Sequence, residues 1–132
     1  MNGFRSALSE LGLDGKLAIA DMSPLSAAYQ MADVQVNVPH CQDSSYIDCL
    51  LEACQAHSIG LLVPVIDTEL SVLANARSRF AAIGTTVVIS DPETIALSRD
   101  KEETASFFRQ AGIATPALLD IKKARTGGYP YP

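Results

Sequence analysis

Short apolar, β-branched runs alternate with segments of helical period along this chain, and that alternation narrows its fold more than any other feature. GKLAIADM closes on Asp21, VQVNVP ends at Pro39, GLLVPVI fills 60–66 and TTVVIS fills 85–90. Apart from VQVNVP, these runs are apolar throughout rather than alternating. A strand covered on both faces needs no polar side, so such runs belong to a parallel sheet between helices. The pattern predicts a doubly wound α/β domain with a mostly parallel sheet of about four strands and helices on both faces.

The segments between the runs carry helical spacing. MNGFRSALSELG sets Phe4, Ala7, Leu8 and Leu11 on one face, with Gly12 as its stop. SPLSAAYQMAD reads as a turn and a short helix. DSSYIDCLLEACQAHSI aligns Ile47, Leu50, Leu51 and Cys54, with Asp43 or Ser44 as cap. DTELSVLANARSRFAAIG is helical through Leu70, Leu73, Ala76 or Arg77, Phe80 and Ile83. DPETIALS places Pro92 at a first helical position. In DKEETASFFRQAGIATP, Asp100 and Glu103 form a capping-box pattern, Phe107, Phe108 and Ala111 a buried stripe, and Gly112 and Pro116 the stop. The tail IKKARTGGYPYP has turn chemistry and no period.

At 132 residues and 48% hydrophobic, the chain suits one domain with a core. Its apolar runs all fall well short of the roughly 18 residues a membrane helix needs, and the N-terminus is charged where a signal peptide is apolar. Ten basic against fifteen acidic residues, a net charge of −5 without a basic run, argue against nucleic acid. Cys41, Cys49 and Cys54 fit neither CxxC nor a zinc knuckle. Their odd number points to a reducing, cytoplasmic setting, and Cys54 reads as core filler.

Ligands of open parallel sheets bind beyond the carboxyl ends of the strands. There this chain has Asp21 with Ser23, Pro39 with His40, Asp67 with Glu69, and Ser90 with Asp91. Each has two readings. Asp67 suits a helix N-cap and Glu69 the first turn, where a carboxylate favours the helix dipole. Both could equally line a substrate site. Ser23 and Pro24 after Asp21 make a turn as readily as a binding loop. His40 has no assignable partner, and His57 sits near a helix end, where the dipole favours it. Lys101 follows a cap directly, against the dipole. It is either a screened surface charge or, with the free amides of the helix start, a phosphate contact. Neither a nucleophile–base pair nor a metal site can be assembled. Doubly wound domains ordinarily open on a strand and a Gly-rich phosphate turn. This chain opens in a helix and has no G-x-G-x-x-G and no P-loop.

The run VPVIDTELSVLA…RFAAIGTTVVISDPETIALSRDKEETASFFRQAGIATP resembles the N-terminal region of ATP-grasp ligases, in particular the short carbamoyl-phosphate-synthase-large-subunit-like group. The shared elements are a strand into P-x-x-D-x-E-L, then F-x-x-x-G and a strand, then D-K, then G-I-x-T-P. ADMSPLSAAYQMADVQVNVP is similar in its strand-end D-x-S-P-L. The likeness spans about residues 3 to 116.

The resemblance implies a pre-ATP-grasp, Rossmann-like domain over 1–116 lacking the family's first strand, and a linker over 117–132 toward an ATP-grasp domain. It implies that Lys101 reaches ATP phosphates and that Asp21, Ser23, Asp67 and Glu69 face substrate. ATP and Mg2+ would serve the complete ligase, while this chain alone would not turn ATP over. The implied partners are a small carboxylate or amine substrate, the ATP-grasp domain in cis or trans, and a second copy in a strand-exchanged homodimer. The alternatives are a non-catalytic binding or interaction module and a Rossmann-type nucleotide binder. Loss of a central strand further implies that the strands near 16–21 and 60–66 either pair directly or have their gap filled by another segment.

Overall fold

Gly12, Ser58, Gly84 and Gly112 all have positive φ, and each ends a helix in the same way. The backbone N–H after each donates to the carbonyl five residues back: Leu13 to Leu8, Ile59 to Cys54, Thr85 to Phe80 and Ile113 to Phe108, at 2.8–3.0 Å. This Schellman closure satisfies the last helical carbonyls and turns the chain out of the helix. Residues 2–128 are described by a computed structural model. The end of the turn-rich tail, 129–132, lies outside the described residues. The chain divides after Asp91 into two compact units.

In the first unit the elements are α1 (Asn2–Glu10), β1 (Ala18–Asp21), α2 (Ala27–Gln30), β2 (Val34–Asn37), α3 (Tyr46–Ala56), β3 (Leu61–Leu62), α4 (Asp67–Ala82) and β4 (Thr86–Val87). β1 pairs parallel with β2, Ala18 opposite Val34 and Asp21 opposite Asn37. β3 pairs parallel with β4, Leu61 opposite Thr86. The strand–helix alternation read from the sequence is therefore an α/β arrangement with parallel pairing. The single sheet of about four strands is not formed among the described residues: they hold two sheets of two strands, and β1 does not pair with β3. β3 is also shorter than the 60–66 expected. The carbonyls of Gly60 and Leu62 accept from Thr86 and Val88, so the next residue facing β4 is Pro64, which has no N–H to give.

The core lies among α3, α4 and the strands beside them. Leu50, Cys54, Leu73, Ala76, Phe80 and Val87 are buried together, Leu73 and Phe80 at 0% exposure. Cys54 is core as expected, and its burial raises the thiol pKa. Thr85 is buried too, but its hydroxyl donates to the Ile59 carbonyl at 2.7 Å, so no polar atom is stranded.

The amphipathic face expected of α1 is not buried. Phe4 and Leu11 are exposed and α1 has no buried residue. It is held at its start by charge instead. Arg5 donates two bonds to the Asp33 carboxylate, at 2.9 and 3.0 Å, and one to the Met31 carbonyl, while Leu17 N–H also donates to Asp33. The Arg5 guanidinium, and after it the Leu17 N–H, hold the Asp33 carboxyl below its ordinary value. A lowered carboxylate pKa adds stability that is present above the unfolded value of 3.8 and is lost as pH falls through the lower folded value. Melting followed by circular dichroism should therefore show Tm falling as pH drops below about 4, and Asp33→Asn should flatten that dependence. An identical pH profile in the variant would remove Asp33 from the account.

The second unit holds α5 (Pro92–Arg99), α6 (Lys101–Gln110) and α7 (Ile121–Arg125), with α5 packed on α6. Asp100 caps α6 as expected, accepting from Glu102 and Glu103 N–H at 2.8 and 3.2 Å. The stripe reads differently: Phe107 and Phe108 touch each other but stay largely exposed, and the buried residue of α6 is Ala105. α7 falls where no period was found. Asp120 starts it by accepting from Lys122 and Lys123 N–H.

Candidate functional site

Because β1 and β3 do not pair, a cleft of about 1100 Å³ lies between them in the first unit. Residues 16–22 form one wall and 60–66 the other, and Phe4, Leu8, Tyr46 and Leu50 contribute side chains from α1 and α3. At its carboxyl end the lining includes Asp21, His40, Cys41 and Glu69.

Asp21 closes β1, and its Oδ1 accepts the Ser23 N–H at 2.8 Å. That bond, then the Ser26 hydroxyl, holds its carboxyl below the usual range. Ser23 Oγ accepts the Leu25 N–H at 3.3 Å. Asp21 and Ser23 thus build the turn, and of the two only Asp21 lines the cleft. The Asn37 amide donates to the Asp21 and Met22 carbonyls, tying this turn to the end of β2.

Glu69 is the most constrained acid. It is buried, and its Oε2 accepts the Tyr46 hydroxyl at 2.6 Å. Its Oε1 accepts the N–H of Val65 at 2.9 Å and of Ile66 at 3.3 Å. Burial, then the bond to Glu69, pushes the Tyr46 hydroxyl pKa far up, so Tyr46 keeps its proton. The N-cap of α4 is Ile66 rather than Asp67, and Glu69 at the third helical position reaches back over the helix start. Asp67 is exposed, does not line the cleft, and makes no described bond. His40 lines the cleft, with Nδ1 accepting the Gln42 N–H. Tyr46 escaped the sequence reading because its partner is 23 residues away and no local period links them.

Lys101 lies in the second unit, exposed at the first position of α6. Asp100 already takes the Glu102 and Glu103 amides, so Lys101 has its ammonium to offer rather than an open helix start. Among the described residues no group of three or more His, Cys, Asp or Glu could hold a metal ion. A phosphate chain with Mg2+ needs several such oxygen ligands or a cradle of free amides. The described residues do not fit ATP and Mg2+ by themselves.

A PylC-like N-terminal domain matches residues 1–88, two thirds of the chain. The chain belongs to the PylC-like N-terminal domain family. A search of curated proteins finds no match. Among solved structures, the chain is similar to one described as the biotin carboxylase domain of a single-chain bacterial carboxylase. That likeness has 24% identity and a TM-score of 0.56, covering 96% of this chain and 31% of the other, and speaks for the fold. This chain therefore spans less than a third of that protein's length. Family and fold together support a domain resembling the N-terminal part of ATP-grasp ligases. No helix among the described residues is long and apolar enough to cross a membrane.

Proposed function

We propose that this chain is the substrate-side N-terminal domain of an ATP-dependent carboxylate–amine ligase of the carbamoyl-phosphate-synthase-large-subunit-like kind. Residues 1–116 form the pre-ATP-grasp domain, and 117–132 lead toward an ATP-grasp domain supplied in cis or trans. The observation that carries the reading is the family match over 1–88, joined to a cleft whose carboxyl end gathers Asp21 and Glu69. Asp21 and Glu69 form the substrate wall for a small carboxylate or amine, with Ser23 and Asp67 beside it. In the complete enzyme Lys101 reaches the ATP phosphates, and ATP and Mg2+ are held by the ATP-grasp domain. A cytoplasmic location belongs to the same reading, and the three free cysteines support it.

The test is phosphate release with Mg2+, ATP and candidate carboxylates. Residues 1–132 alone are expected to release none. Supplied with an ATP-grasp domain in cis or trans, they should turn over, and Lys101→Ala should then weaken ATP use by about 1–3 kcal/mol while leaving the fold intact. Turnover by 1–132 alone, or unchanged ATP use in the variant, would overturn the assignment. A stop codon directly after Pro132 with no ATP-grasp partner would favour the non-catalytic module.

A further inference from the structure

The loop 63–66 follows β3 at its carboxyl end, where parallel sheets take their ligands, and its own backbone does little to hold it. The last ladder bond to β4 runs from the Val88 N–H to the Leu62 carbonyl, and Pro64 has no N–H to give. Beyond that point the loop's described backbone bond is the 3.3 Å one from the Glu69 N–H to the Ile66 carbonyl. What ties the loop down is a side chain: Glu69 Oε1 accepts the N–H of both Val65 and Ile66.

Tyr46 governs the direction of that carboxylate. Its hydroxyl donates to Glu69 Oε2 at 2.6 Å, and both residues are buried. The terminal torsion of a glutamate is broad, so a carboxylate bonded through one oxygen alone can swing. Bonded through both, it is fixed with Oε1 toward the loop. With three bonds made inside the protein, Glu69 reaches a ligand through the loop it holds and not by its own charge. That loop presents Val65 and Ile66, 82% and 54% exposed, on backbone that the carboxylate pins.

We propose that Tyr46 is a positioning residue. Acting through Glu69, it fixes the loop 63–66 as the face that substrate meets at the carboxyl end of β3. The role at the substrate wall rests on the ligase reading; the relay from Tyr46 to the loop does not.

Amide hydrogen exchange of the 132-residue protein, followed residue by residue by NMR, tests the relay. Tyr46→Phe should speed exchange at Val65 and Ile66 by roughly tenfold, the worth of one charge-assisted bond, and leave Leu73 and Phe80 of α4 unchanged. Glu69→Asp, one methylene short of the loop, should do the same from the other end. Unchanged exchange at the loop in both variants, or equal acceleration throughout α4, would overturn the relay. The substrate role is tested on the protein supplied with an ATP-grasp domain, by phosphate release with ATP, Mg2+ and either glycine or acetate with methylamine as probes. Tyr46→Phe should raise the KM for the probe several-fold, while kcat and the KM for ATP hold. A merely structural residue would lower kcat through loss of folded enzyme with both KM values unchanged, and that result would overturn the positioning role. Silence of the unsubstituted protein with every probe would overturn the ligase reading and with it the substrate role, while faster loop exchange in the variants would still establish the relay.

Discussion

Phe80→Ala is expected to destabilise the first unit by about 3–5 kcal/mol, a large part of the 5–15 kcal/mol that holds a typical domain folded. Phe80 is at 0% exposure and packs with Leu73, Cys54 and Val87. Its carbonyl also accepts the Thr85 N–H that closes α4. Truncation removes the ring from α4 where the helix meets β4 and leaves a cavity that rigid neighbours cannot fill. Urea unfolding followed by circular dichroism measures the loss. A cost below about 1 kcal/mol would show that the core does not depend on this ring. Leu73→Ala serves as the companion, at about 2–5 kcal/mol.

Glu69→Ala should cost about 1–3 kcal/mol, for a different reason. The substitution strands the buried Tyr46 hydroxyl, and it releases the N–H groups of Val65 and Ile66, which belong to exposed residues. Each orphaned buried donor costs about 1–3 kcal/mol. Glu69→Gln keeps a carbonyl acceptor for the amides and should recover much of the loss. In a double-mutant cycle with Tyr46→Phe, the two residues should couple by more than about 1 kcal/mol, as contacting partners in one network do. Additive effects would mean that the 2.6 Å bond adds nothing to stability. A stable Glu69→Ala that loses only ligand binding would move the residue from scaffold to substrate contact.

The period of the apolar residues located the helices well, because a core-facing stripe recurs locally. Leu50, Cys54, Leu73 and Phe80 are buried where their spacing puts them. The stops read at Gly12 and Gly112 adopt the left-handed turn that glycine favours, and Gly84 adopts it at the end of α4. Ser58 adopts it too, and nothing in its side chain announces that. What pattern could not supply was tertiary choice. The faces of α1 and α6 have helical spacing, yet Phe4, Phe107 and Phe108 remain exposed, since spacing says which residues share a face and not whether anything covers it. The strand runs were visible as apolar segments, but Pro64 and the gap beside β1 decide how much of each becomes ladder. In the site, Asp21 was legible because it ends a strand. The bond between Glu69 and Tyr46 was not, since it joins separate helices.

The separation of the two half-sheets also bears on how the chain finds its shape. Ala18 pairs with Val34, sixteen residues on (34 − 18), and Leu61 with Thr86, twenty-five residues on (86 − 61). The entropy of closing loops of those lengths differs by only about 0.4 kcal/mol, so neither half has a marked head start. Both are parallel pairings closed across an intervening helix, so neither forms as quickly as a hairpin would. Nothing in the backbone ladder makes one half wait for the other. The chain is therefore built around two nuclei of similar standing.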